Sequence, residues 1–158
     1  MKFISHRGNL GGPNPTKENR MDYIFDALNL GYDVEIDCWF ENHQWYLGHD
    51  GPKYKTGITI FSNPKVWCHA KNSEALIQFS KLPYCNYFWH DKDNYTFTSQ
   101  RYVWCLVGAD VIPNSIAVLP ELKYRGDLSK CGGICSDEII KWKTKFADKN
   151  NFIAYMDT

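Results

Sequence analysis

Apolar and polar positions along this chain recur with two periods, and the change of period marks out the elements. Lys2 to Ser5 reads as a short strand running into His6-Arg7-Gly8-Asn9. Leu10 to Pro15 holds two Gly, two Pro and an Asn, a loop composition. Met21, Ile24, Phe25 and Leu28 then recur at i, i+3, i+4 and i+7, one face of a helix, with Thr16 as its candidate cap and Gly31 as its left-handed stop. From Asp33 to Trp39 the period falls to two. Val34, Ile36 and Cys38 alternate with Glu35 and Asp37, so a strand sends the carboxylates to one face and the apolar residues to the other. This opening third reads as a strand-helix-strand unit whose crossover is long enough for parallel pairing.

A second short strand, Trp45 to Leu47, ends in Gly48-His49-Asp50, and Gly51 to Pro64 reads as irregular. Val66 to Ala70 is a strand. Ser73 caps a short helix with Ala75, Leu76 and Phe79 on one face, stopped by Pro83. Tyr84 to Trp89 reads as a strand ending in His90-Asp91, followed by aromatic and β-branched runs at Tyr95 to Thr98 and Tyr102 to Val107. Ile116 to Leu119 and Gly132 to Cys135 are the last strands, and Ser136 caps a closing helix that turns Ile139, Trp142 and Phe146 inward.

Strands that alternate with helices imply a parallel sheet with helices outside. Eight or nine short strands in one α/β domain spanning 1–158 predict a small or truncated (β/α)8 TIM-type barrel. Such barrels take ~200 to ~250 residues, so at 158 residues several outer helices must be shortened or missing.

Composition narrows the function classes. Apolar residues at 44% and aromatics at 16% argue against disorder. Lys and Arg number 18, as do Asp and Glu, and no basic run occurs, so nucleic acid is not an expected partner. No apolar run approaches the ~20 residues that span a bilayer, and the start, Met1 to Arg7, turns polar too soon for a signal peptide. A soluble, cytoplasmic protein is expected, and nothing in the sequence defines an oligomeric state. The six cysteines include no CxxC pair, and four lie in or beside apolar runs, so buried free thiols are expected.

The candidate chemistry gathers between Asp33 and Asp50. Two carboxylates on one strand face repel, which raises a pKa unless a cation lies between them. Oxygen ligands from Glu35 and Asp37 suit magnesium or calcium, and a nitrogen from His69 would bring in manganese or zinc. His6 and His49 both stand at strand ends, where barrel enzymes build their sites. His69 shares a strand face with Lys71, His90-Asp91 competes with His49-Asp50 for the same role, and His43 is a solvated loop residue. Glu18 and Asn19 read as acceptors in the first turn of the helix, on a loop that folds back toward the site.

In order, His6-Arg7-Gly8, Glu18-Asn19, Glu35-Ile36-Asp37 and Leu47-Gly48-His49-Asp50 resemble the opening of glycerophosphodiester phosphodiesterases, barrel enzymes of the phospholipase-C-like superfamily. More loosely, Val66 to Lys71 resembles the strand with the family's Glu-x-Lys pair, Val103-Trp104 a late strand with a substrate-facing Trp, and Cys135-Ser136-Asp137 the closing Thr/Ser-Asp. The resemblance implies a metal-dependent phosphodiesterase acting on a small phosphodiester, with His6 and His49 as acid and base. It implies Glu35 and Asp37 as metal ligands, with His69 where the family has Glu. Arg7 and Lys71 become phosphate contacts, Trp104 a substrate contact, and Glu18 and Asn19 supporting residues. It further implies attack by a neighbouring substrate hydroxyl through a cyclic phosphate, the enzyme ending as hydrolase or lyase. From another class, six Trp and ten Tyr also suit a non-catalytic barrel that binds a phosphorylated or sugar ligand.

Overall fold

β2, Asp33–Glu41, is the strand on which the other elements are assembled, and its alternation explains why. Every residue from Asp33 to Cys38 is buried. Val34, Ile36 and Cys38 join an outer core with Ile24 and Ala27 of α1 (Met21–Asn29) and Ala75 and Phe79 of α2 (Ser73–Phe79). Glu35 and Asp37 face the other way. The computed structural model describes residues 1–124 and 126–156, with side chains through 148.

β2 pairs in parallel with β1 (Lys2–His6) over Asp33 to Glu35 and with β5 (Val66–Ala70) over Val34 to Cys38. Further along, from Cys38 to Glu41, it carries antiparallel β3 (Gln44–Leu47), which in turn pairs with β4 (Tyr54–Thr56). Beyond β5 lies β6 (Asn86–Phe88), also parallel. On the far side of β1 follow β10 (Gly133–Ser136), β9 (Ser115–Val118) and β8 (Val103–Cys105), all parallel. β7 (Tyr95–Phe97) closes the series as an antiparallel partner of β8.

The sheet curls strongly enough that Ile4, Trp67, Phe88, Trp104, Ile116 and Cys135, from six strands, form one inner cluster. It nevertheless stays open. Among the described residues no ladder joins β6 to β8. That side is bridged by side-chain packing of Trp104 on Phe88 and by Ser99, whose N–H donates to the Tyr87 carbonyl (2.8 Å) and whose hydroxyl accepts from the Tyr87 N–H (3.0 Å). The expected (β/α)8 TIM-type barrel is therefore not what the chain forms. It is a mixed α/β fold with a curled, largely parallel, unclosed sheet and four α-helices among the described residues. The physical reason lies in the second half. After β6 the chain doubles back as the β7–β8 hairpin, where a barrel needs another helix and parallel strand. Residues 106–114 then link parallel β8 and β9 without a helix, and α3 (Pro120–Lys123) is a single turn.

Smaller expectations also shift. α1 is capped at Arg20, not Thr16, and turns Ile24 and Ala27 inward while Phe25 stays exposed. Asn72, one residue before Ser73, caps α2 by accepting from the Ala75 N–H (3.0 Å). The stretch expected to be irregular holds β4 and a 3-10 helix, Ile58–Ser62. α4 (Ile139–Met156) buries Ile139 in a third core cluster, against which Trp142 and Phe146 pack. All six cysteines are buried and free. No helix of the described residues is long and apolar enough to cross a membrane.

Candidate metal and acid-base site

The C-terminal ends of the parallel strands carry the candidate residues to one place. His6 ends β1, Glu35 and Asp37 lie along β2, His69 is the fourth residue of β5, and Lys71 follows that strand. A pocket of about 330 Å³ is lined by His6, Arg7, Glu35, His49, His69 and Lys71, together with His90, Asp91 and Trp104. A second cavity of about 620 Å³ opens on the other side of His6, Arg7 and His49, bounded by Glu18, Asn19, Pro13, Pro15 and Pro52. A cavity of about 390 Å³ beside α3 and α4, around Glu121 and Trp142, contains none of the candidate residues.

Glu35, Asp37 and His69 form the centre. One ligand atom from each lies within 4.8 Å of the others. His69 Nδ1 is 3.3 Å from Asp37 Oδ1 and 3.8 Å from Glu35 Oε1. Lys71 Nζ is 3.5 Å and Arg7 Nε 2.9 Å from the Asp37 carboxylate. Burial pushes the Glu35 carboxyl above its ordinary range, and the neighbouring charge of Asp37 pushes it further. Burial would raise Asp37 as well, but His69, Arg7 and Lys71 outweigh it and hold Asp37 low. The two carboxylates thus part in the way two like charges on one strand face should, and the better-partnered one keeps its charge.

A divalent ion fits this donor set. Glu35 Oε2 and Asp37 Oδ1 are buried with no hydrogen-bond partner, Lys71 Nζ standing 3.5 Å from the latter as an ion pair. A buried carboxylate oxygen such as Glu35 Oε2 is costly unless a cation meets it. Two carboxylates and an imidazole within mutual reach supply that cation's ligands.

The two imidazoles share a carboxylate partner at Nδ1 but differ in setting, the His6 pair being enclosed and the His49 pair, between adjacent residues, exposed. His6 Nδ1 is 2.8 Å from Asp137 Oδ1, and His49 Nδ1 is 2.6 Å from Asp50 Oδ1. Each ring is thus oriented by a carboxylate at Nδ1. His6 Nε2 lies 3.9 Å from Glu35 Oε2. Burial would lower the His6 pKa, but the hydrogen bond to Asp137 and the charge of Glu35 outweigh it and leave it raised. The His49 turn depends on Gly48, at φ +148, where a Cβ would run into the Gly51 carbonyl. Trp39 Nε1 fixes the same turn by donating to the Gly48 carbonyl (2.6 Å).

Glu18 and Asn19 precede α1 and do not form its first turn, and both are tied into the site. Asn19 donates to Asp37 Oδ2 and accepts from the Asp37 N–H, each at 2.9 Å. Glu18 accepts from Arg7 Nη1 (3.1 Å) and Asn9 Nδ2 (2.9 Å). Arg7 (φ 55), Asn19 (φ 62) and Leu119 (φ 44), all beside these cavities, hold left-handed backbone that non-glycine residues rarely adopt. Such strain persists where surroundings over-determine it, commonly at sites.

Trp104 lines the pocket as a floor rather than a free platform. It is 4% exposed and stacked on Phe88 at 4.4 Å. His43 faces a separate cavity with Phe40 and Asn72. His90 lines the main pocket, and its backbone carbonyl accepts from the His69 ring (3.0 Å). Sequence reasoning gave no orienting role to Asn9, which donates to Asp137 (2.7 Å) as well as to Glu18, or to the His90 carbonyl. Asn9 stood beside the His-Arg-Gly motif, a usable signal; a backbone acceptor leaves none. Comparison with family models, with curated proteins and with solved structures found no match for this chain.

Proposed function

We propose that the chain is a divalent-metal-dependent phosphodiesterase acting on a small phosphodiester, as its motifs' resemblance to glycerophosphodiester phosphodiesterases implies. One observation carries the reading: two carboxylate-oriented imidazoles, His6 and His49, line the same pocket as buried Glu35 and half-buried His69, which group with the buried Asp37 behind them. A diester is anionic, and its transition state concentrates negative charge on the phosphoryl oxygens. Arg7 and Lys71 bring positive charge to that pocket on short tethers to Asp37 and are pre-positioned for it. An ion held by Glu35, Asp37 and His69 would supply Lewis-acid stabilisation of the same charge.

His6 and His49 divide the proton transfers. One imidazole takes the proton of the attacking hydroxyl, and the other gives a proton to the departing alkoxide. Each transfer is typically worth ~100- to 10,000-fold in rate. Asp137 and Asp50 hold the rings so that Nε2, the atom not bonded to a carboxylate, is the one that exchanges protons.

The experiment is turnover of bis(p-nitrophenyl) phosphate with added divalent ion. Release of nitrophenol that stops with chelator, with no release from the p-nitrophenyl monoester, supports the reading. Ligand-induced Trp fluorescence change without turnover of any diester would replace it with the binding-module alternative.

A further inference from the structure

The three groups at the centre of the site differ in what they offer an ion. Magnesium and calcium take oxygen, whereas imidazole nitrogen suits zinc, iron and their neighbours. Which nitrogen of His69 faces Glu35 and Asp37 is fixed by the backbone. Nε2 is 3.0 Å from the His90 carbonyl oxygen, an acceptor only, so Nε2 carries the hydrogen and donates it. Nδ1 is then the atom turned to the carboxylates, at 3.3 Å from Asp37 and 3.8 Å from Glu35. Stacking on Phe88, with centroids 4.9 Å apart and planes 12° from parallel, holds the ring there.

A bare Nδ1 among carboxylate oxygens needs a positive centre, either a proton on the ring or a cation shared by all three groups. Giving the remote N–H to a carbonyl is the outer-shell arrangement that metal-ligating imidazoles use. The oxygens left without a hydrogen-bond partner, Glu35 Oε2 and Asp37 Oδ1, belong to the other two members of the same group.

We propose that His69 Nδ1 ligates directly and makes this a site for a first-row transition ion of the manganese or zinc kind, in preference to magnesium or calcium. The inference rests on the reading above that the site holds a divalent ion. Nearly any site with nitrogen and oxygen donors ranks these ions in a common order, so bare affinity is not the measure. The measure is the preference that His69 adds. The six cysteines are buried and do not compete for added ion.

The test takes the full chain, stripped by chelator, and titrates it calorimetrically with Mn²⁺ and with Mg²⁺, beside His69→Glu. In parallel, pulsed electron paramagnetic resonance of the Mn²⁺-loaded chain reads nitrogen coupling. Directly coordinated ¹⁴N is expected in the wild-type spectrum, converting to the ¹⁵N pattern after ¹⁵N-histidine labelling, a readout that needs no variant. In His69→Glu the coupling should vanish and the Mn²⁺-over-Mg²⁺ preference fall by at least ~10-fold, the lower end of what losing even an outer-shell partner costs. Mn²⁺ bound without nitrogen coupling, no ion bound at all, or an unchanged preference in His69→Glu overturns the proposal. Diester turnover is followed separately. Turnover with Mg²⁺ and no nitrogen coupling removes this inference and leaves the phosphodiesterase standing, whereas coupling without turnover does the reverse.

Discussion

His6 Nδ1 and Asp137 Oδ1 lie 2.8 Å apart although 131 positions separate the two residues. The parallel pairing of β1 with β10, in register from Lys2 opposite Gly133 to Ser5 opposite Ser136, makes the meeting unavoidable. Asp137 should therefore act through His6. Asp137→Ala is expected to lower kcat on a diester by about 100-fold or more, the lower range for a lost proton transfer, with little change in KM. A double variant with His6→Ala should be no worse than His6→Ala alone, because the two act as one unit.

The same pair sets a pH dependence of stability. Burial would raise the Asp137 carboxyl, but the hydrogen bond and charge of His6 pull it below its ordinary value. A carboxyl lowered in the folded state stabilises above its unfolded pKa, and that contribution is lost as pH falls through the lowered folded value. In urea melts, Asp137→Asn should be less stable than wild type at about pH 6, and the gap should close under acid. A gap that widens toward acid would contradict the sign.

Asn19 fixes Asp37 with two bonds from a left-handed backbone position. Asn19→Ala leaves the buried Asp37 N–H unpaired and puts a residue poorly suited to φ 62 in its place. Urea denaturation should show a loss of about 1–3 kcal/mol, together with weaker ion binding. Asn19→Gly relieves the backbone and not the bonds, so it should recover only part of the stability.

Gly48 sets the His49 turn. Gly48→Ala meets the Gly51 carbonyl in a backbone conformation that side chains rarely adopt. Turnover should fall while the outer core, built mainly on β2, β5 and the helices, stays intact, as read by near-ultraviolet circular dichroism.

How much of this was legible in the sequence follows from where each signal lay. β1, β2 and β5 were legible because alternation over Val34, Ile36 and Cys38, and the apolar run at Val66 to Ala70, are local patterns. The gathering of His6, Glu35 and His69 was legible because parallel strands put their ends on one side, and His49 joins them because antiparallel β3 returns alongside β2, with Leu47 opposite Cys38. The barrel was misjudged because closure depends on what joins β6 to β8, and Tyr95 to Val107 carries the same aromatic and β-branched residues whether it runs parallel or as a hairpin. Thr16 failed as a cap because the 14–20 segment turns back to bond Asn19 and Glu18 to the site, and helix starts only after it. Trp104 lines the pocket, and its stacking on Phe88 was not legible because strand position does not reveal a packing partner on another strand.

The phosphodiesterase reading is tested most directly by initial rates on one chromogenic diester for wild type, His49→Ala and His90→Ala side by side, with divalent ion present. His90 shares the pocket, but its ring is bonded within its own loop, to the Asp93 carbonyl. Wild-type turnover that is lost in His49→Ala and largely kept in His90→Ala is the predicted result. Full activity in His49→Ala, or no diester cleavage by the wild-type chain with any divalent ion, would contradict it.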